Sequence, residues 1–238
     1  MTGMTPDAAG PTVINRYESP AAWRDVDAYF SALLVPEDDA LVAARESGAA
    51  TTMPNAEVAP NQGALLGLLT HLSGARRVLE FGTLAGYSTI WFARAVGPQG
   101  RVVTLELEEH NAQIARTNLR RAGVREWVDV QVGPAAESAQ RLIDDGAEPF
   151  DLVFIDADKP SNPAYLAAAL RLTTSGAVIV IDNVVRDGAV TDRDSDEPRV
   201  QGVRAVAQDI ATNPELDATA LQTVGIKGWD GVIIARRR

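Results

Sequence analysis

Arg77-Val78-Leu79-Glu80-Phe81 runs directly into Gly82-Thr83-Leu84-Ala85-Gly86, and that into Tyr87-Ser88-Thr89-Ile90-Trp91-Phe92-Ala93-Arg94-Ala95-Val96. The first piece is apolar and of strand length. The second is a turn with two glycines, and the third carries apolar residues at helical spacing. Outward from this unit the alternation repeats. Strands are expected at 77–81, 102–107, 128–132, 152–156, 177–181, 219–224 and 231–235. Helices are expected between them at 87–96, 110–122, 135–145, 163–172 and 199–211. Near-continuous apolar strands separated by helices imply a mostly parallel sheet covered on both faces, a doubly wound α/β fold. Only Gly225-Ile226-Lys227-Gly228-Trp229-Asp230 separates the last two strands, too little for a parallel crossover, so they form an antiparallel hairpin. Upstream, helical patterns cover 20–34, 36–47 and 60–72; the second opens with Pro36 and three acidic residues. Residues 1–18 show no periodicity and are expected to be a flexible arm ahead of one domain spanning 19–238.

The chain of 238 residues carries 22 Lys plus Arg against 32 Asp plus Glu, a formal net charge of −10. That balance argues against a nucleic-acid partner, and Arg236-Arg237-Arg238 reads as a solvated tail. No stretch approaches the ~20 apolar residues of a spanning helix, and Met1–Pro11 lacks the apolar centre of a signal peptide. A cytoplasmic address with no membrane partner is the expectation. The absence of cysteine excludes a disulfide framework, a thiolate metal site and a Cys nucleophile.

The turn at 82–86 fails the dinucleotide fingerprint, which wants glycine at its first, third and sixth positions; those are Gly82, Leu84 and Tyr87. Glu106 closes the second strand 20 residues after Gly86, where an acid can accept ribose hydroxyls. A ribosyl cofactor without a pyrophosphate fits both observations, and S-adenosyl-L-methionine is such a molecule. Glu80 interrupts an apolar strand and needs a reason to be there. It could receive the ammonium of the methionine part, directly or through water. The competing reading is a turn that needs glycine only for its dihedrals, beside a surface carboxylate.

The fourth strand ends Phe154-Ile155-Asp156-Ala157-Asp158-Lys159 and the fifth Val180-Ile181-Asp182-Asn183. Adjacent parallel strands open their carboxyl ends onto one crevice. Asp156, Asp182 and Asn183 then offer two carboxylates and an amide oxygen, hard donors suited to Mg²⁺ or another divalent cation such as Mn²⁺ or Ca²⁺. The same residues could instead cap the turns that follow. Lys159, three residues after the first acid, is a candidate general base, made usable by a nearby dication and partial desolvation. His71 and His110 read as ordinary helical residues.

Taken together, Val78–Ser88, Phe150–Lys159, Asp182-Asn183-Val184 and Gly225–Gly231 resemble the cation-dependent O-methyltransferases that include the catechol and caffeoyl-CoA enzymes, in their small bacterial form. The resemblance runs from about residue 20 to the C-terminus. It implies a seven-stranded Rossmann-like methyltransferase fold with strand seven antiparallel between strands five and six. It implies Asp156, Asp182 and Asn183 as metal ligands and Lys159, with Asp156, as the catalytic pair. Glu80, Gly82, Thr83, Tyr87 and Ser88 would surround the methionine half of the cofactor, Glu106 its ribose and Ala135 its adenine. Asp156 and Asp158 fall in the cofactor-contacting stretch, and Met53 and Val58 in the segment that closes over cofactor and substrate. A homodimer is the usual state of such relatives.

Departures limit what carries over. Arg186 stands three positions after the metal Asn, where the plant enzymes have an aromatic residue, and Ala157-Asp158 replaces the His-Trp of the catechol enzymes. The acidic loop 186–199 either rims the acceptor pocket or is solvated surface. The expected activity is methyl transfer to a hydroxyl of a vicinal dihydroxy-aromatic small molecule, a phenolic acceptor. A non-catalytic cofactor-binding protein would not require the set Asp156, Lys159, Asp182 and Asn183. A nicotinamide oxidoreductase conflicts with the broken glycine fingerprint.

Overall fold

The computed structural model describes residues 19–35 and 37–238; the expected arm at 1–18 and Pro36 lie outside the described residues. The elements are α1 (Pro20–Leu34), α2 (Asp39–Ser47), α3 (Pro60–Leu72), β1 (Arg77–Phe81), α4 (Tyr87–Val96), β2 (Arg101–Glu106), α5 (Glu109–Arg121), β3 (Val128–Val132), α6 (Ala135–Asp144), β4 (Phe150–Ile155), α7 (Asn162–Arg171), β5 (Thr173–Asp182), α8 (Pro198–Thr212), β6 (Leu216–Gly225) and β7 (Gly228–Arg237). The second helix starts three residues later than its sequence suggested. Asp38 is extended and spends its Oδ1 on the Leu41 N–H at 3.0 Å, so it caps the helix rather than joining it.

The strands form one sheet in the order β3-β2-β1-β4-β5-β7-β6. The pairs from β3 to β5 are parallel, and β7 lies antiparallel between β5 and β6, as expected. The hairpin is tighter than the sequence implied: Gly225 pairs with Gly228, leaving Ile226-Lys227 as the loop. From β1 the chain winds outward to β2 and β3, then returns to β4 on the other side of β1. That reversal opens a crevice at the carboxyl ends of β1 and β4.

Each sheet face has its own core. Leu79 and Phe81 of β1 pack with Ile155, Ile181, Leu166 of α7 and Val206 of α8. Val78 packs on the opposite face with Phe154, Val180, Ile90 and Phe92 of α4 and Leu119 of α5. The two-residue period of a strand therefore puts Glu80 on the Val78 face, beneath α4.

α1 departs from the expected pattern. Its apolar residues fall at helical spacing, yet the helix buries none of them, and Val26, Tyr29, Phe30, Leu33 and Leu34 are exposed. Polar contacts hold it instead: Asp27 accepts from the Ile226 N–H at 2.8 Å and from Asn61 Nδ2 at 3.2 Å. No helix among the described residues is long and apolar enough to cross a membrane.

Candidate active site

A cleft of about 1140 Å³ opens over the carboxyl ends of β1, β2, β4 and β5. On its floor, Gly82 takes φ +97° because the end of β1 lies against the end of β4. A Cβ on Gly82 would sit 2.4 Å from the Asp156 carbonyl oxygen. The Asp156 N–H donates to the Phe81 carbonyl at 2.9 Å, and the Gly82 N–H to the Leu105 carbonyl at 2.9 Å. Gly86, at φ +82°, then turns the chain into α4.

Glu106 lines this cleft, as expected, but its carboxylate already works within the protein. Oε2 accepts from the N–H groups of Thr83 at 3.2 Å and Leu84 at 2.8 Å, and Oε1 from the Glu108 N–H at 3.0 Å and Asn111 Nδ2 at 3.1 Å. Four donors fill the roughly four acceptor positions of a carboxylate. A further donor, such as a ribose hydroxyl, would have to take the place of one of them. Asn111 is the donor with a second acceptor to hand, Thr52 Oγ1 at 2.9 Å.

Glu80 does not face the crevice, contrary to the sequence reading. It is fully buried below the turn and lies outside the cleft wall. Ser88 Oγ donates to its Oε1 at 2.5 Å, and Thr89 and Thr104 Oγ1 to its Oε2 at 2.5 and 2.7 Å. Burial pushes its carboxyl up to about 7, against the pull of the three hydroxyls, with the Asp156 charge adding to the rise. Direct contact with an ammonium in the cleft is not available to it. Gly82, Thr83, Tyr87 and Ser88 do line the cleft. The Tyr87 hydroxyl donates to Glu37 Oε1 at 2.9 Å, and Arg45 braces Glu37 through Nε and Nη2. Burial, above all, holds the Tyr87 phenol protonated, and the Glu37 carboxylate adds to this.

Met53, Val58, Ala135 and Asp158 also border the cleft. Asp158 accepts from the Tyr165 hydroxyl. Burial works against its charge, but hydrogen bonds from Ser161 and Tyr165 outweigh that and keep its carboxyl below the usual carboxylate range. His71 and His110 stand outside the wall, as expected; His110 Nε2 is 2.9 Å from the Ala50 carbonyl oxygen. From the acidic loop, Arg186, Glu197 and Arg199 reach the cleft, while Asp187, Asp192 and Asp194 do not.

The acid cluster gathers on one side. Asp156, Lys159, Asp182 and Asn183 line the same cleft. Lys159 is buried and its Nζ donates to Asp156 Oδ1 at 2.8 Å. Gly202 of α8 sets the lysine's position, since a Cβ there would come 2.0 Å from the Lys159 carbonyl oxygen. Asp182 is 2% exposed. Burial first, and the Asp156 charge second, push its carboxyl up to about 7. Asn183 takes φ +57°, with its N–H donating to Asp182 Oδ1 at 2.7 Å. Two carboxylates thus share one lysine in a buried setting. No group of three or more His, Cys, Asp or Glu side chains among the described residues is arranged for a metal. The donor set is two carboxylates plus the Asn183 amide, with negative charge left over, which fits a hard dication.

Three supporting residues were not singled out from the sequence. Asn111 joins α5 to Glu106 and to the Thr52 backbone. Thr104 joins β2 to Glu80. Asp230, in the quoted Gly225–Gly231 stretch, accepts from the N–H groups of Val185, Arg186 and Gly231 at 3.0, 3.2 and 2.9 Å.

The chain as a whole has known relatives. A family model described as O-methyltransferase matches residues 30–238. The chain belongs to the O-methyltransferase family. Among curated proteins, this O-methyltransferase is 51% identical over 211 residues to a catechol O-methyltransferase of Mycobacterium tuberculosis, covering 89% of this chain and 94% of the relative. It is 49% identical over 213 residues to a catechol O-methyltransferase of Niastella koreensis, covering 90% and 96%. Among solved structures, the O-methyltransferase from Bacillus cereus in complex with SAH superposes with a TM-score of 0.90 at 49% identity, over 92% of this chain and all of that one.

Proposed function

We propose that this O-methyltransferase uses S-adenosyl-L-methionine and a divalent cation to methylate one hydroxyl of a catechol-like small molecule. The observation that carries the reading is the convergence, in one cleft, of the Gly82 turn and the buried Asp156–Lys159–Asp182 cluster. The names of the Mycobacterium tuberculosis and Niastella koreensis relatives and the SAH held by the Bacillus cereus structure support it.

When bound, the cofactor supplies an electrophilic sulfonium methyl, and the dication supplies charge that favours a phenolate over a phenol. Asp156, Asp182 and the Asn183 amide oxygen hold the dication. Thr83, Tyr87 and Ser88 border the methionine half, and Glu106, with Asn111 released toward Thr52, receives the ribose. Were Asp156 so engaged, Lys159 would lose the counter-ion that holds its ammonium charged and would release a proton to solvent more readily, and the neutral Nζ is then the group positioned to take the acceptor's hydroxyl proton. The walls contribute by fixing the approach of oxygen to methyl and excluding water. Glu80 acts from beneath, fixing Ser88 and the start of α4. A domain spanning 19–238 and a homodimeric state accompany this reading.

A methylation assay on catechol tests it. Chelator should abolish turnover and Mg²⁺ restore it; full activity in chelator overturns the metal role. Lys159→Ala should lower kcat by ~10²–10⁴, with cofactor affinity by calorimetry unchanged. Wild-type turnover in that variant would remove Lys159 as the base.

A further inference from the structure

Among the described residues, two arginines of the cleft wall, Arg186 and Arg199, have no task in methyl transfer; Arg199 is exposed, and Arg186 is the one beside Asn183. Arg186 lies three residues after Asn183, lines the cleft, and has a side chain only 24% exposed. Its Nε is buried with no hydrogen-bond partner among the described residues. Its ion pair, Nη1 to Asp230 Oδ2, is 4.0 Å long, beyond hydrogen-bond reach. The other oxygen of Asp230 is committed to backbone N–H groups. Of the five donors of the guanidinium, the Nε–H is the one left both buried and unmatched, which is unfavourable.

The backbone is bent to present this side chain. Asn183, Arg186 and Asp187 take φ of +57°, +56° and +52°; Asn and Asp adopt this left-handed region readily, whereas an arginine there is uncommon. Asp230 holds the backbone at 185 and 186. Of the three other cations of the wall, Lys159 is answered by Asp156 and Lys227 by Glu57 at 3.0 Å and the Asn55 carbonyl at 2.8 Å, while Arg199 is exposed to solvent. Arg186 keeps an open fork beside the metal Asn.

Building on the catechol-type methyl transfer above, we propose that the acceptor carries a carboxylate, received by the Arg186 guanidinium. The planar fork matches a carboxylate in a way that no hydroxyl or ester can. The acceptor class is therefore a vicinal dihydroxy-aromatic acid whose carboxylate stands on a short side chain. This explains why the position that is aromatic in the plant enzymes is cationic here.

Dihydrocaffeate, a catechol whose carboxylate is separated from the ring by two methylenes, and its methyl ester form a matched pair, because the methylenes insulate the ring from the change. With the full chain, S-adenosylmethionine and Mg²⁺, the acid should exceed the ester in kcat/KM by about tenfold to a hundredfold, mainly through KM. Arg186→Met should bring that ratio to within about threefold of unity, and Arg186→Lys should retain part of it, having the charge without the fork. Equal rates for acid and ester in wild type, or a ratio that survives Arg186→Met, overturns the proposal. Should Arg186→Met be insoluble, the wild-type pair and Arg186→Lys decide it. Methylation of catechol and the ester without preference for the acid removes this inference alone. No methylation of catechol, acid or ester removes the proposed function, and this inference with it.

Discussion

Glu80 of β1 and Asp182 of β5 are both buried acids, and burial pushes both carboxyls up to about 7. Their surroundings differ. Around Glu80, three hydroxyls from α4 and β2 converge on the two oxygens. Around Asp182 there is the Asn183 N–H, a shared lysine, and a second carboxylate that opposes its charge. The first cluster is complete without any ligand and locks a strand to a helix. The second sets two carboxylates against one lysine, leaving a charge that a proton on Asp182 or a bound cation balances. A strongly shifted carboxyl is thus no guide to function by itself; what matters is whether the protein has already supplied its partners.

The two acids should separate most clearly in turnover. Asp182→Asn should cut kcat on catechol by about 10²–10³, the range for losing an electrostatic stabiliser of the transition state, whereas Glu80→Gln should stay within tenfold of wild type. Comparable losses would erase the contrast. Stability against pH should separate them next. The folded Glu80 carboxyl lies near 7 against an ordinary 4.5, so the native state holds a proton that the unfolded chain has lost. Stability from this group is therefore present below 4.5, declines as pH rises toward 7, and is level above it. Urea unfolding at about pH 5 and 8 should show wild type losing on the order of 3 kcal/mol more than Glu80→Gln over that interval. An equal decline in both proteins would show that the carboxyl is not shifted.

A smaller effect should appear on adding Mg²⁺. At a hundred times its dissociation constant, a ligand stabilises by about 2.7 kcal/mol, worth roughly 5–10 °C in Tm for a chain of this size. Wild type and Glu80→Gln should both gain, and Asp182→Asn should not. A gain in all three would locate the ion elsewhere. The smallest effect belongs to Thr104→Val, which removes one of three donors to Glu80 and should cost about 1–2 kcal/mol in chemical denaturation. A neutral result would show that Ser88 and Thr89 suffice.

Where the chain is apolar and periodic, the fold was legible. β1, β3 and α4 fall on the residues expected, because each buries side chains at its own period. β5 and β6 run longer than their apolar runs. Thr173 and Asp217-Ala218 are held through backbone ladders that leave little trace in side-chain pattern, and Thr174-Ser175-Gly176 fall in the register shift between the pairs Phe150–Thr173 and Leu152–Val178. α1 misled in the opposite sense: its stripe is genuine, but the core it was expected to join is already filled from α2, α3 and α4. In the cleft, the acids at strand ends could be read directly, since a parallel sheet brings such ends together. Glu80 could not, because its neighbours Thr89 and Thr104 come from α4 and β2, 9 and 24 residues away. Asp230 supports Arg186 from 44 residues further along the chain, a contact that no local spacing encodes.

The contact between Gly82 and the Asp156 carbonyl has a consequence for how this protein can change. Any side chain at 82 would collide with backbone, not with a group able to swing aside. The turn at 82–86 and the end of β4 that bears Asp156 are therefore coupled through their backbones. In the proposed reading, a backbone shift at the cofactor turn carries over to the strand end that bears the metal acid.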